Sequence, residues 1–237
     1  GVPLHTRRMT TAGTRLRPLF DWMFALALLA VIVAIVRVFA FTPYEATQGP
    51  AQKIFYVHVP AAMSAYLAFT IAALMSVLYL WLKDERADRL AESAGEGGLV
   101  FTSAVLITGP FWGKPIWGVW WTWDARLTLT LFLWFIAAAY TVLRGAIDDP
   151  AMRARYSAVL AVLAALLIPF IHLSVYLFRT AHPMPIVLKP ERPSLPAEML
   201  KTFIVANVAF LMFCVTLIRA RYRLAVRRAS ALEHTHA

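Results

Sequence analysis

Six long runs of apolar residues limit what this chain can fold into more than any other feature of its sequence. A helix needs about 20 apolar residues to cross a bilayer, and in lipid only helices and closed barrels satisfy their own backbone hydrogen bonds. Because 60% of the 237 residues are hydrophobic and only 15% are charged, the sequence predicts an all-α, polytopic membrane protein. We place its six transmembrane helices at 20–41, 55–82, 97–111, 127–143, 156–178 and 202–218.

The distribution of Lys and Arg predicts the side of the membrane that each connection occupies. Segments on one side carry 15 of these residues and segments on the other side carry 7. The richer side is expected to be cytoplasmic, which makes both termini cytoplasmic, with tails at 1–19 and 219–237 around a transmembrane domain at 20–218. Three segments are then periplasmic, at 42–54, 110–126 and 179–198.

Charge and cysteine content exclude several classes of function. The net charge of +10 does not predict a nucleic-acid partner, because the basic residues cluster at the ends of the apolar runs and not along one face. The single cysteine, Cys214, lies within the sixth run, so the chain has no Cys-X-X-Cys site and no intramolecular disulfide. The cytoplasmic connections contain no Gly-rich phosphate loop. No nucleotide-binding domain is therefore expected in this chain.

A Trp-rich periplasmic loop at 110–128 is the most unusual segment of the sequence. One interpretation is an aromatic belt, since indole rings favour the depth of the lipid headgroups. Belts scatter their Trp around helix ends, however, and here five of the eight fall within a dozen residues. We therefore predict a broad apolar platform with indole N–H donors, suited to a large flat ligand. Its members are Trp112, Trp117, Trp120, Trp121 and Trp123.

Two charged residues follow the Trp cluster. Asp124 is a predicted N-cap of the fourth helix, because an acidic side chain accepts hydrogen bonds from the free N–H groups there. It also belongs to the candidate ligand site. Arg126 has three open interpretations: an ion pair with Asp124, a contact with a lipid headgroup, or a bidentate bond to an acidic group of a ligand.

Three of the six histidines lie in or beside the apolar runs. His58 is predicted at the outer N-terminal end of the second helix, where the positive helix end keeps an imidazole neutral. His182 follows the fifth helix in a Pro-rich segment that is predicted to be extended and stiff. His172 lies within the fifth run, as a buried histidine bonded to a neighbour or as a secondary functional residue.

Two imidazoles on the periplasmic side, beside a flat apolar platform, suit a porphyrin whose iron takes a ligand on each face. We expect His58 and His182 to be the axial ligands of a haem. Because the chain lacks Cys-X-X-Cys-His, the expected group is haem b, bound non-covalently.

Three stretches resemble, in order and spacing, the CcmC family of system I cytochrome c maturation, within the wider Trp-rich WWD-domain superfamily of haem-handling proteins. They are 55–62 (FYVHVPAA), 112–128 (WGKPIWGVWWTWDARLT) and 168–175 (IPFIHLSV) followed by 180–182 (TAH). The chain departs from the family at 176–178, where the family tends to have a Trp pair and this chain has Tyr-Leu-Phe. The resemblance implies haem between the histidines that match His58 and His182 at the periplasmic face of a bacterial inner membrane.

The resemblance also implies partners and a role. The partners are a CcmE-like periplasmic haem chaperone, CcmA-like ATPase and CcmB-like membrane subunits of an ABC-type complex, and a CcmD-like single-span subunit. Membrane lipid is expected to contact the chain as well. The expected role is to bind haem and present it to the chaperone, without catalysis. The alternatives are a haem-dependent membrane redox enzyme and a haem-translocating channel, although the runs lack the repeated polar positions of a conduction path.

Overall fold

The computed structural model describes residues 18–187 and 189–235, with side chains as far as residue 231. Within these ranges the chain is helical and forms no strand, and six helices are long and apolar enough to cross a membrane. The predicted all-α fold with six transmembrane helices is therefore confirmed. The helices are α1 (Trp22–Ala40), α2 (Phe55–Leu82), α3 (Glu85–Trp117), α4 (Ala125–Ala146), α5 (Pro150–Leu177) and α6 (Ala197–Thr235), with a short 3-10 helix at Pro50–Ile54 before α2. Most of the N-terminal tail lies outside the described residues.

Helices α2, α3, α4 and α5 surround the centre of the molecule, and α1 packs on α6 at the side of α2 and α3. Small residues bring α2 and α3 close together. Ala65 and Ala68 on α2 are buried, and a Cβ at Gly98 on α3 would lie 2.5 Å from the ring of Phe69. This agrees with the general use of small residues at helix interfaces in membranes, where van der Waals packing replaces the hydrophobic effect.

The third helix is much longer than the predicted span at 97–111. It begins after Asp84, whose carboxylate accepts a 2.8 Å hydrogen bond from the Arg86 N–H, and ends at Gly118, whose φ of 76° suits glycine. Pro110 and Pro115 lie inside the helix. Each proline removes one backbone donor. This part of α3 is held by contacts with the segment before α2, including the 3-10 helix and Gln48. The non-helical part of the predicted loop at 110–128 is therefore only 118–124.

At the end of the bundle where α3 begins, charged residues outside the predicted apolar runs lie within α3, α4 and α6. They are helical there because they form ion pairs between these helices. The guanidinium of Arg144 makes two bonds of 2.8 and 2.7 Å to the carboxylate of Asp88, and Arg221 pairs with Glu96. Both side chains of the Arg144–Asp88 pair are largely buried. These ion pairs hold α3, α4 and α6 together at the end of the bundle that carries most of the basic residues.

Candidate functional site

A cavity of about 800 Å³ opens between the ends of α2, α3, α4 and α5. The segment that follows α5 folds over it as an additional wall. All three histidines singled out in the sequence line this cavity, as do Arg126 and four of the five tryptophans of the cluster. The lining members of that cluster are Trp112, Trp117, Trp120 and Trp121.

His58 stands on the first turn of α2, and a hydrogen bond across to α3 determines its tautomer. Its Nδ1 lies 2.9 Å from the Thr108 hydroxyl oxygen, and that hydroxyl lies 2.7 Å from the Ala104 carbonyl oxygen. Because Thr108 donates its proton to the carbonyl, it accepts from the Nδ1–H of His58. The lone pair of His58 is then on Nε2, the arrangement of an imidazole oriented to bind a metal.

His182 reaches the same arrangement through its own backbone. Its Nδ1 lies 2.9 Å from the carbonyl oxygen of Pro183, which can only accept, so Nδ1 carries the proton and Nε2 is free. Burial and, next, the positive charge of Arg126 lower the pKa of His182 to about 4, although the hydrogen bond to Pro183 and the charge of Asp124 act in the opposite direction. The imidazole is therefore neutral at neutral pH, as a metal ligand must be.

His172 lies on α5 and is half-buried in the cavity wall. Its ring centroid is 6.2 Å from that of Tyr176. Within the residues that the structure describes it forms no hydrogen bond, so the neighbour expected to hold a buried histidine is not present there. Its imidazole faces the same space as those of His58 and His182.

The tryptophans form a wall rather than a platform on one loop. Trp112 and Trp117 lie on the last turns of α3, and Trp120 and Trp121 lie in the link to α4. The indole N–H of Trp112 donates to Gln48 over 2.9 Å, and its ring meets that of His58 edge-on at 5.7 Å. The structure places Trp123 outside the wall, with its ring against Trp121 and 77% of its surface exposed.

The carboxylate of Asp124 joins two parts of the site. One oxygen accepts from the Leu127 N–H at 3.0 Å, which makes Asp124 the N-cap of α4. The other accepts from the Thr122 hydroxyl at 3.1 Å and from the Ala181 N–H at 3.2 Å. Because Ala181 precedes His182, Asp124 both caps α4 and holds the backbone beside one of the two candidate ligands.

Two hydrogen-bond donors in the cavity wall are buried without an acceptor. They are Nη1 of Arg126 and Nε1 of Trp121, which have no acceptor among the described residues, although the guanidinium of Arg126 also interacts with the Tyr66 hydroxyl. A buried donor left unpaired costs about 1–3 kcal/mol, so such groups in a cavity indicate an acceptor on its ligand. Since Asp124 bonds elsewhere, the structure favours the third interpretation of Arg126, a bond to an acidic group.

The segment after α5 is folded back, not extended as its prolines predicted. The Ser194 N–H donates to the Ile186 carbonyl oxygen over 2.8 Å, and Ile186 and Leu195 pack against the buried cluster that includes Phe55 and Met199. Burial of these apolar side chains outweighs the preference of the prolines for an extended chain. This fold brings residues 181–187 to the cavity.

Sequence reasoning missed the residues that orient the ligands. Thr108 and Gln48 contact His58 and Trp112 from 50 and 64 residues away in the chain, and no local pattern signals such pairs. Among the described residues, the cavity supplies the Nε2 atoms of His58 and His182 without a hydrogen-bond partner, an aromatic wall and two donors without an acceptor. These groups fit the expected haem: ligands for its iron, apolar contacts for its macrocycle and donors for its propionates.

Comparison with known proteins gives one consistent result. The sequence model of the family described as heme exporter protein C matches residues 6–236. A protein of that name from Haemophilus influenzae is 34% identical over 220 residues, which are 92% of this chain and 87% of the relative. Its namesake in Rhodobacter capsulatus is 32% identical over 228 residues, covering 95% and 93% of the two chains. A third, from Bradyrhizobium diazoefficiens, is 33% identical over 202 residues, covering 85% and 76%.

Proposed function

The chain belongs to the heme exporter protein C family, and from that premise we propose that it binds haem b non-covalently at the periplasmic face of the inner membrane. It presents this haem to a periplasmic chaperone during the maturation of c-type cytochromes. The observation that carries the proposal is the pair of imidazoles, His58 and His182. Each has its Nδ1 held by an oxygen acceptor and its Nε2 free in one cavity.

Each part of the cavity has a task in this proposal. His58 and His182 supply the axial nitrogens, and the four lining tryptophans pack against the macrocycle. Arg126 and Trp121 donate to a propionate, which removes the cost of leaving these donors unpaired. Asp124 holds the backbone beside His182 in place. None of these roles requires a bond of the protein to be made or broken, which fits a binding and transfer subunit better than an enzyme.

The cavity also favours binding over passage through the membrane. It extends inward as far as Thr102 on α3 and Leu133 on α4, both of which are buried among neighbouring helices. A channel needs a continuous polar path, whereas most residues that line this cavity are apolar. A haem-translocating channel and a haem-dependent redox enzyme remain the competing proposals.

Family membership supports the proposed partners, since the relatives are named as exporters. We infer an ABC-type complex with an ATPase, a second membrane subunit and a small single-span subunit, and a periplasmic acceptor of haem. The chain would contribute the haem site, and the ATPase would contribute the energy.

The proposed orientation predicts the location of reporters. A reporter inserted at Lys189 is expected to be periplasmic and one fused after Arg228 cytoplasmic, because the segments on the cytoplasmic side carry 15 Lys and Arg against 7 on the other side. Paired alkaline phosphatase and green fluorescent protein fusions at both positions measure this. Phosphatase activity at the C-terminus with none at Lys189 would place the cavity on the cytoplasmic side and contradict the proposal.

Asp124→Ala is expected to disturb the fold and the haem site together. Loss of the cap lowers the free energy of unfolding by about 1 kcal/mol, and loss of the bond to Ala181 loosens His182, so haem is expected to bind more weakly. Asp124→Asn is the matched control, since its single amide oxygen can keep the cap bond from the Leu127 N–H but its NH2 group cannot accept from the Ala181 N–H. Denaturant unfolding and haem titration measure the two effects. Equal haem affinities for Asp124→Ala and the wild-type protein would remove Asp124 from the site.

The proposed function is tested by titrating the purified protein with haem in lipid nanodiscs and then adding the purified periplasmic acceptor. We expect stoichiometric binding with the low-spin spectrum of two-histidine ligation, followed by transfer to the acceptor. A protein that stays spectrally silent after haem addition would refute the proposal. A protein that binds haem and reduces or modifies it catalytically would favour the redox enzyme instead.

A further inference from the structure

We propose that His172 replaces His182 as a ligand of the haem iron when His182 leaves the iron during transfer. This inference rests on the proposed function and extends it. The resting site uses His58 and His182, and the exchange to His172 keeps the iron coordinated on both faces while the His182 side opens towards the acceptor.

The first observation is the state of the His172 side chain. It lies in the wall of the same cavity, half-buried, with no hydrogen bond to any described residue. Its ring nitrogens are not among the buried atoms without a partner, so they are open to the cavity. His58 and His182 use Nδ1 for a hydrogen bond, whereas neither nitrogen of His172 is bonded to a described residue. An imidazole of this kind has the capacity to bind a metal atom of a ligand.

The second observation is the difference in anchoring among the three histidines. His58 stands on α2 and is bonded across to α3, so its position is determined by two packed helices. His172 is likewise held by a helix, within the last two turns of α5. His182 lies in the non-helical segment, and the hydrogen bonds around it are its own bond to Pro183, the bond from Thr180 to its carbonyl oxygen and the Asp124–Ala181 bond. His182 is therefore the ligand whose release disturbs the least structure.

The third observation concerns simultaneous binding. Among the described residues no group of three His, Cys, Asp or Glu side chains is close enough together to hold one metal ion. The three imidazoles are instead distributed around the cavity, which suits successive binding. The exchange breaks one iron–nitrogen bond, to His182, and forms one, to His172. Both donors are neutral imidazoles, so no electron and no proton is transferred.

A competing ligand in the same wall is Met184, two residues after His182. It lines the cavity and 50% of its surface is exposed. Its thioether could replace His182 from the same segment. A test must therefore distinguish replacement by His172 from replacement by Met184.

The test compares the spectra of four haem-loaded proteins in nanodiscs: wild type, His182→Ala, His172→Ala/His182→Ala and Met184→Ala/His182→Ala. We expect His182→Ala and the variant that also lacks Met184 to keep a mainly low-spin, two-nitrogen spectrum. The variant that lacks both histidines should be high-spin. Added imidazole should restore its low-spin spectrum, which shows that the cavity is intact. If this double variant does not fold, His172→Phe/His182→Ala, which keeps an aromatic ring at position 172, replaces it.

Three outcomes overturn the inference. His182→Ala could already be high-spin and match the variant without both histidines, the low-spin signal could disappear only with Met184, or it could persist without both histidines. In each case the wild-type protein still binds haem, so the proposed function survives. A wild-type protein that binds no haem refutes both.

As a kinetic check, His172→Ala alone is expected to slow transfer to the acceptor about tenfold, which corresponds to about 1.4 kcal/mol in the barrier.

Discussion

His58→Ala is expected to lower haem transfer to the acceptor by at least about 100-fold and to leave any bound haem high-spin. Loss of an outer partner of a metal ligand already costs about 10–100-fold, and loss of the ligand itself costs more. The other two cavity histidines lie on α5 and on the segment after it. The side of the cavity formed by α2 and α3 therefore keeps no imidazole to replace His58.

Thr108→Val is the matched control for this prediction. Valine has nearly the shape of threonine but does not accept the 2.9 Å hydrogen bond from His58 Nδ1. The imidazole stays and loses only its orientation, so we expect haem affinity to fall about 10–100-fold with a low-spin spectrum at saturating haem. Haem titration and the yield of loaded acceptor measure both variants. Normal loading by His58→Ala would mean that iron is held elsewhere.

Arg126→Met is expected to weaken haem binding by about 10–100-fold without destabilising the haem-free protein. Hydrogen bonds to a charged group contribute about 1.5–3 kcal/mol, which is roughly this factor in Kd. In the haem-free protein the same substitution removes a buried Nη1 donor without an acceptor among the described residues, and with it the interaction of the guanidinium with the Tyr66 hydroxyl. These two changes act in opposite directions, so the free energy of unfolding without haem should stay nearly the same while haem affinity falls, as expected of a residue kept for its ligand.

Haem dimethyl ester is the matched ligand for this prediction, because its propionates carry no charge. We expect it to bind the wild-type protein and Arg126→Met with similar affinity, whereas free haem distinguishes them. Arg126→Lys keeps the charge but loses the planar fork and should be intermediate. If the ester distinguished the two proteins as strongly as haem does, Arg126 would act through the fold and not through a propionate.

Much of the fold was predictable from the apolar runs, and the differences have identifiable causes. The second run coincides with α2, since its apolar residues continue to Leu82 and Lys83 then ends the helix with a positive φ of 57°. Helix α3 extends beyond its run at both ends, through Glu85 and Asp88 on one side and Pro115 on the other. Ion pairs between helices and packing against the rest of the chain stabilise these extensions. Neither is visible in the hydropathy of a single segment.

The candidate site, too, was only partly predictable from the sequence. Residue type and position pointed to His58, His182 and Arg126, because these residues carry unusual chemistry at the ends of apolar runs. Their orientation depends on contacts between distant segments. The Asp124–Ala181 bond joins residues 57 positions apart, so the sequence revealed the cap on α4 but not the link to His182. For His172, the sequence left two interpretations open, and its place in the wall emerged only from the packing of α5 against α2 and α4.

Every role proposed for this protein depends on haem in this cavity, with its iron between His58 and His182. An electron cryo-microscopy map of the haem-loaded protein in lipid nanodiscs would locate the haem. We expect planar density against Trp112, Trp117, Trp120 and Trp121, with Nε2 of both histidines at coordination distance from the iron and a propionate beside Arg126. Haem density outside this cavity, or inside it with neither histidine on the iron, would refute the proposed function.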